Sequence, residues 1–211
     1  FGNFYFISAV KEPPVKRSTA SVDIKSIITI PLKDREFRKV IILFMLWNIG
    51  LQIGSPFFAV YMVTGLKLKY SYIMLLGMFS SIANMITVRI WGRIADKKSW
   101  VYTTKMSIGL LAAIHACWFF VNMDTAFLLV PALHIMGGVA WSGINISIFN
   151  IQFTFTPQDG RTIYIGFNAG LNALVGFTST LAGSVLIGIL SNLNFKLFGV
   201  FSVINMQVVL G

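Results

Sequence analysis

Apolar stretches long enough to cross a bilayer as helices follow one another from residue 40 to residue 190, and they leave the chain little choice of fold. Hydrocarbon about 30 Å thick takes roughly 20 mostly apolar residues in helical form, because only a helix or a closed barrel satisfies its own backbone there. The spacing predicts spans over 40–64, 70–91, 100–121, 126–151 and 162–190, with a sixth from 193 that is still apolar at Gly211. Hydrophobic residues make up 56% of the sequence and charged residues 11%, whereas a soluble domain carries about 25% charged. A water-soluble core cannot hide that much apolar surface. The expected fold class is an all-α integral membrane protein, a polytopic helical bundle.

The first ten residues, FGNFYFISAV, read as the tail of an earlier span. With no initiating Met the sequence reads as a fragment. No basic flank precedes a short apolar core at the start, so no signal peptide is read there. Residues 11–37 form the one long polar connection, in which Pro13 and Pro14 break any helix and charges keep the segment in water. Later connections are brief (GLKLK, RIADKKS, NMDT, TPQDGR), so successive helices must pack as antiparallel neighbours. The only cysteine, Cys117, falls inside the third span, which excludes an intrachain disulfide.

The net charge of +10 is a matter of topology. Lys11, Lys16, Arg17, Lys25, Lys33, Arg35, Arg38 and Lys39 fall in one connection. Arg89, Arg93, Lys97, Lys98 and Lys105 surround the next on the same side, and Arg161 the third. Only Lys67, Lys69 and Lys196 belong to the opposite side. The positive-inside bias puts the first set, with the 11–37 linker and the 92–99 loop, in the cytoplasm. No basic face interleaved with aromatics forms on a soluble module, so nucleic acid is not an expected partner. The lipid bilayer is one.

Polar side chains inside the spans form stripes. Asn48, Gln52 and Ser55 stand at i, i+4 and i+7, and Ser80, Asn84 and Thr87 repeat that spacing. Trp141, Asn145 and Gln152 share a face of the fourth span, and Asn168, Asn172 and Ser179 a face of the fifth. Amides in hydrocarbon must be paired or wetted. Two readings stand side by side: stripes lining a shared aqueous path, or amides bonding across helices. The third span carries no such stripe and reads as a helix facing lipid or other helices. Gly166 and Gly170 form a small-xxx-small pair suited to close packing, and Pro56 and Pro131 are expected to kink their spans.

The residues available for catalysis are sparse. The seven acids, Glu12, Asp23, Asp34, Glu36, Asp96, Asp124 and Asp159, all lie in connections or at their edges. His115 and His134 are far apart in sequence on different spans, and His134 is the better functional candidate. No clustered ligands suggest a metal, no nucleophile has a base within helical reach, and no phosphate-binding G-x-x-x-x-G-K-[ST] occurs. Neither a catalytic residue nor a cofactor is expected. A polytopic enzyme is the weakest reading, and a non-transporting receptor or scaffold is separable from a transporter only by solute flux.

Between the second and third spans lies Gly92-Arg93-Ile94-Ala95-Asp96-Lys97-Lys98-Ser99. This resembles the G-x-x-x-D-[RK] loop signature of the major facilitator superfamily in its more degenerate second copy, with Ser99 replacing the second glycine. The resemblance implies a C-terminal six-helix half of a twelve-helix secondary transporter that moves a small solute by alternating access, with the missing N-terminal half as its partner and the plasma membrane as its place. It implies that Asp96 locks a cytoplasmic gate with a basic partner, for which Arg161 is the candidate beside Gly92 and Lys97. It implies too that the first, second, fourth and fifth spans here line the path while the third lies outside. The expected path residues are then Asn48, Gln52, Ser55, Asn84, Trp141, Asn145, Asn168 and Asn172. Neutral amides near Trp47, Phe57 and Phe58 suit an uncharged or amphipathic solute, sugar-like or drug-like.

Overall fold

A computed structural model describes residues 23–190 and two short strands at 195–197 and 201–203. The expected span tail at 1–10 and the Pro13–Pro14 stretch lie outside the described residues. Among the described residues there are six helices: α1 (Ile24–Lys33), α2 (Arg35–Val60), α3 (Tyr70–Lys97), α4 (Trp100–Cys117), α5 (Ala126–Phe155) and α6 (Arg161–Leu190). A π-helical turn, Tyr61–Gly65, prolongs α2, and a 3-10 turn, Trp118–Phe120, prolongs α4. By length and composition Arg35–Gly65, Tyr70–Lys97, Ala126–Phe155 and Arg161–Leu186 can each cross a membrane. The fold is a helical membrane bundle. The 18-residue α4, with Lys105 and His115 in it, is shorter than these.

The observed boundaries differ from the expected ones at several points. Residues 24–33 of the supposed linker are helical, because Ile24, Ile27, Ile28, Pro31 and Leu32 recur at helical spacing. Helix α3 runs on through Gly92 and Asp96 to Lys97, so the signature sits on a helix end and the turn is only Lys98–Ser99. Nothing before Ser99 breaks a helix, and Lys97 favours the negative end of the helix dipole. Ser99 then caps α4, its Oγ accepting the Tyr102 N–H at 3.1 Å. Positions 56 and 131 both lie within continuous helices. Where a sixth span was expected from 193, Phe195–Leu197 pairs antiparallel with Phe201–Val203, Lys196 opposite Ser202. Phe and Val favour strands, and Gly199 falls between the two.

Packing joins α3 to α5, α4 to α5, and α2 to α6, with α2 touching α5 more lightly. Close approaches are made at glycines, though not at the Gly166–Gly170 pair, where an added Cβ would meet nothing within 4 Å. A Cβ at Gly138 would collide with the Ser80 carbonyl, and one at Gly183 with the Ile53 carbonyl. At Gly143 it would come within 2.7 Å of Trp91 and of Ser107 Cβ. That gap admits the Trp91 indole, whose Nε1 donates to the Val139 carbonyl at 2.8 Å. On the facing side of α4, Thr103, Thr104 and Ser107 are buried, their hydroxyls donating to carbonyls one turn back. These small hydroxyls make a tight α4–α5 contact, so the third span does carry a polar face, and it is spent on packing.

Two apolar cores result. One gathers Tyr61, Leu76, Leu111, Ile114, Trp118, Val130 and Ile144 around the α2 end of the bundle that follows Phe57. The other gathers Phe37, Val40, Phe44, Ile151 and Tyr164 at the opposite end.

Candidate functional site

The sequence-selected polar residues divide into a hydrogen-bonded chain and a cavity lining. In the chain, Asn48 Nδ2 on α2 donates to Asn172 Oδ1 on α6 at 2.8 Å. Asn172 Nδ2 donates in turn to Asn168 Oδ1 at 2.9 Å and to the Asn168 carbonyl at 2.7 Å. Asn168 Nδ2 reaches Gln152 Oε1 on α5 at 3.1 Å. Three helices are thereby joined by a run of amides that all donate in the same direction. Asn168 is only 1% exposed, so its amide depends on these partners. Gln52 lies beside this chain at Gly176, with Nε2 3.5 Å from the position a Cβ would take, and Asn48 Oδ1 is 3.6 Å from it. Here the interhelical-bonding reading describes what the amides do.

A cavity of about 250 Å³ opens at the other end of the bundle. Ser55 and Trp141, both selected from the sequence, line it together with Ser80 of the second stripe. The remaining wall mixes aliphatic side chains, Leu51, Met62, Leu111, Ile114 and Leu133, with the rings of Phe58, Trp118, His115 and His134. Their rings form an edge-to-face series, His115 to Phe58 at 5.5 Å, Phe58 to Trp118 at 4.8 Å and Trp118 to His134 at 5.9 Å. Trp141 in turn stands edge-on to Trp47 at 5.7 Å.

The imidazoles have a fixed orientation. His115 Nδ1 lies 2.8 Å from the Leu111 carbonyl and His134 Nδ1 2.9 Å from the Val130 carbonyl. A carbonyl oxygen only accepts, so Nδ1 carries the proton in both rings, and in a neutral ring Nε2 is left as an acceptor. The cavity therefore brings two imidazoles and two serine hydroxyls together among aromatic and aliphatic side chains, with no carboxylate among its lining residues. Helix α4, expected outside the path, supplies His115, because its packing on α5 brings its last turns to the same space. Helix α6, expected to line the path, supplies no lining residue. The histidine contribution was obscured in the sequence because the two rings stand on separate spans and only tertiary packing brings them to one cavity.

Asn84 is half-buried and Asn145 exposed; neither belongs to the amide chain or to the cavity lining. Asp96, Lys97 and Lys98 are exposed, and Gly92 faces Ile146 Cδ1 at 4.0 Å. The Arg161 guanidinium lies over the Phe153 ring, 5.0 Å from its centroid, and its Nε is buried without a hydrogen bond. Among the described residues the one ion pair is Lys39 with Glu36, at 2.7 Å, so Arg161 and Asp96 are not paired in this conformation. The cation–π contact with Phe153 occupies Arg161 within its own corner of the bundle.

A model of the Major Facilitator Superfamily matches residues 3–180. Neither the curated proteins nor the solved structures provide a match.

Proposed function

The chain belongs to the Major Facilitator Superfamily, which makes it a multi-pass membrane protein of a transporter family, and on that premise we propose that it moves a small uncharged or amphipathic solute by alternating access. The mostly apolar cavity of about 250 Å³ carries this reading. Ring faces of Phe58, Trp118 and Trp141 provide apolar contact area, while His115, His134, Ser55 and Ser80 provide hydrogen-bonding groups that fix orientation. A cavity without a carboxylate favours a solute recognised through hydroxyl or amide groups over one held by an ion pair. The exposed face bearing Asn145 completes the path against a second six-helix half. Linker 11–37 and the turn after α3 face the cytoplasm of a plasma-membrane protein, where Gly92, Asp96, Lys97 and Arg161 act in the gate of another conformational state.

Flux of neutral and amphipathic solutes into vesicles carrying the full natural chain tests this. Trp141→Ala and His134→Ala are expected to lower uptake several-fold while membrane insertion is unchanged. Wild-type uptake in both variants would remove the cavity from the solute path.

A further inference from the structure

Helix α1 is ten residues long, too short to span, yet it displays apolar side chains. At about 100° per residue, Ile27, Pro31, Ile24, Ile28 and Leu32 fall in succession on one arc, with Lys25, Thr29 and Lys33 beside it on the other flank. Only one edge of the arc is covered by protein: Pro31 is buried and Ile27 half-buried where α1 packs on α6 and α2. Ile24, Ile28 and Leu32 stay 74%, 46% and 42% exposed.

A basic cluster adjoins that uncovered line. Lys25 and Lys33 on α1 and Arg35, Arg38 and Lys39 on the first turns of α2 are all exposed. Their acidic neighbours are largely engaged. Glu36 pairs with Lys39. Asp34 caps α2, accepting from the Glu36 and Phe37 N–H groups at 3.0 and 3.1 Å, and it accepts the Tyr164 hydroxyl at 3.2 Å. That last bond ties the α1–α2 corner to α6, so α1 is held at the level of the α2 entrance. Depth follows from length: the 26 residues of α2 reach about 39 Å, against about 30 Å of hydrocarbon. Its charged first turns therefore stand in the headgroup layer, and α1, one residue away, stands there too.

We propose that α1 is an interfacial helix, with Ile24, Ile28 and Leu32 set into the acyl-chain boundary and Lys25, Lys33, Arg35 and Arg38 engaging anionic phospholipid headgroups. Charge complementarity selects that occupant: an apolar line flanked by lysines matches an anionic membrane surface, and the helix already lies at its depth.

The test uses the full chain with Cys117→Ser and a single fluorescently labelled cysteine, at Ile28→Cys or Thr29→Cys. It is reconstituted in phosphatidylcholine alone or in equal parts phosphatidylcholine and phosphatidylglycerol. A shallow lipid-borne quencher is expected to quench the Ile28 label several-fold more than the Thr29 label, and more so with phosphatidylglycerol. Adding Lys25→Glu and Lys33→Glu should abolish that gain, while the Thr29 label, on the polar flank, controls for folding. Equal quenching of both labels by aqueous iodide in both lipids would overturn the proposal and leave the face to water or a protein partner. Lipid quenching indifferent to phosphatidylglycerol would overturn the headgroup assignment.

Discussion

Glycine chemistry at single positions separates packing from mere composition. Gly138 and Gly143 admit a neighbouring backbone and an indole where no Cβ fits, while Gly166 and Gly170 face open space. Gly138→Ala and Gly143→Ala should each destabilise the bundle by about 1–3 kcal/mol, the range for overpacking. Gly166→Ala should be neutral or stabilising by up to about 1 kcal/mol, the helix propensity difference. Thermal unfolding of the three variants in detergent checks the ranking, and equal midpoints would refute it. A sequence pattern of small residues cannot tell these positions apart, because close approach depends on which helix arrives opposite.

Between elements, the bond from Asn48 to Asn172 is a polar link of α2 to α6, in the contact where Gly176 meets Asn48 and Gln52. A double-mutant cycle on Asn48→Ala and Asn172→Ala should give a coupling of about 0.5–1.7 kcal/mol, the span for interhelical hydrogen bonds in membranes. A coupling indistinguishable from zero would mean that the amides are individually hydrated. The end of α3 invites a different expectation. Asp96 is exposed and outside any ion pair among the described residues, so Asp96→Asn should shift stability by less than about 0.5 kcal/mol. A several-fold fall in solute flux at that unchanged stability would place the carboxylate in another conformation of the cycle. A fall in stability instead would make it a structural group of this one.

For the molecule as a whole, the division into an amide-joined side and a mostly apolar cavity predicts different phenotypes. Asn168→Ala breaks two links of the chain at a buried amide and should cost about 1–3 kcal/mol by leaving partners unsatisfied. Asn145→Ala removes an exposed group outside the chain and should leave stability intact while lowering flux. Unfolding and uptake measured on the same preparations distinguish them. If Asn145→Ala transports like wild type, its face is not part of the path.

Much of this was legible in the residues alone. Hydrocarbon demands long apolar helices whatever packs against them, so composition, the runs between 40 and 190 and the Gly92–Lys97 signature sufficed for the membrane class and for the family likeness. The helical spacing of Asn48, Gln52 and Ser55 likewise marked a polar face without knowledge of its neighbour. What that face does was decided only when helices met: Asn48 turns to Asn172, Ser55 to a cavity shared with His115 and His134, and Arg161 to Phe153 instead of Asp96. Periodicity along one helix fixes which side chains share a side, but partners are a property of pairs of helices, set by long-range packing that no local pattern encodes.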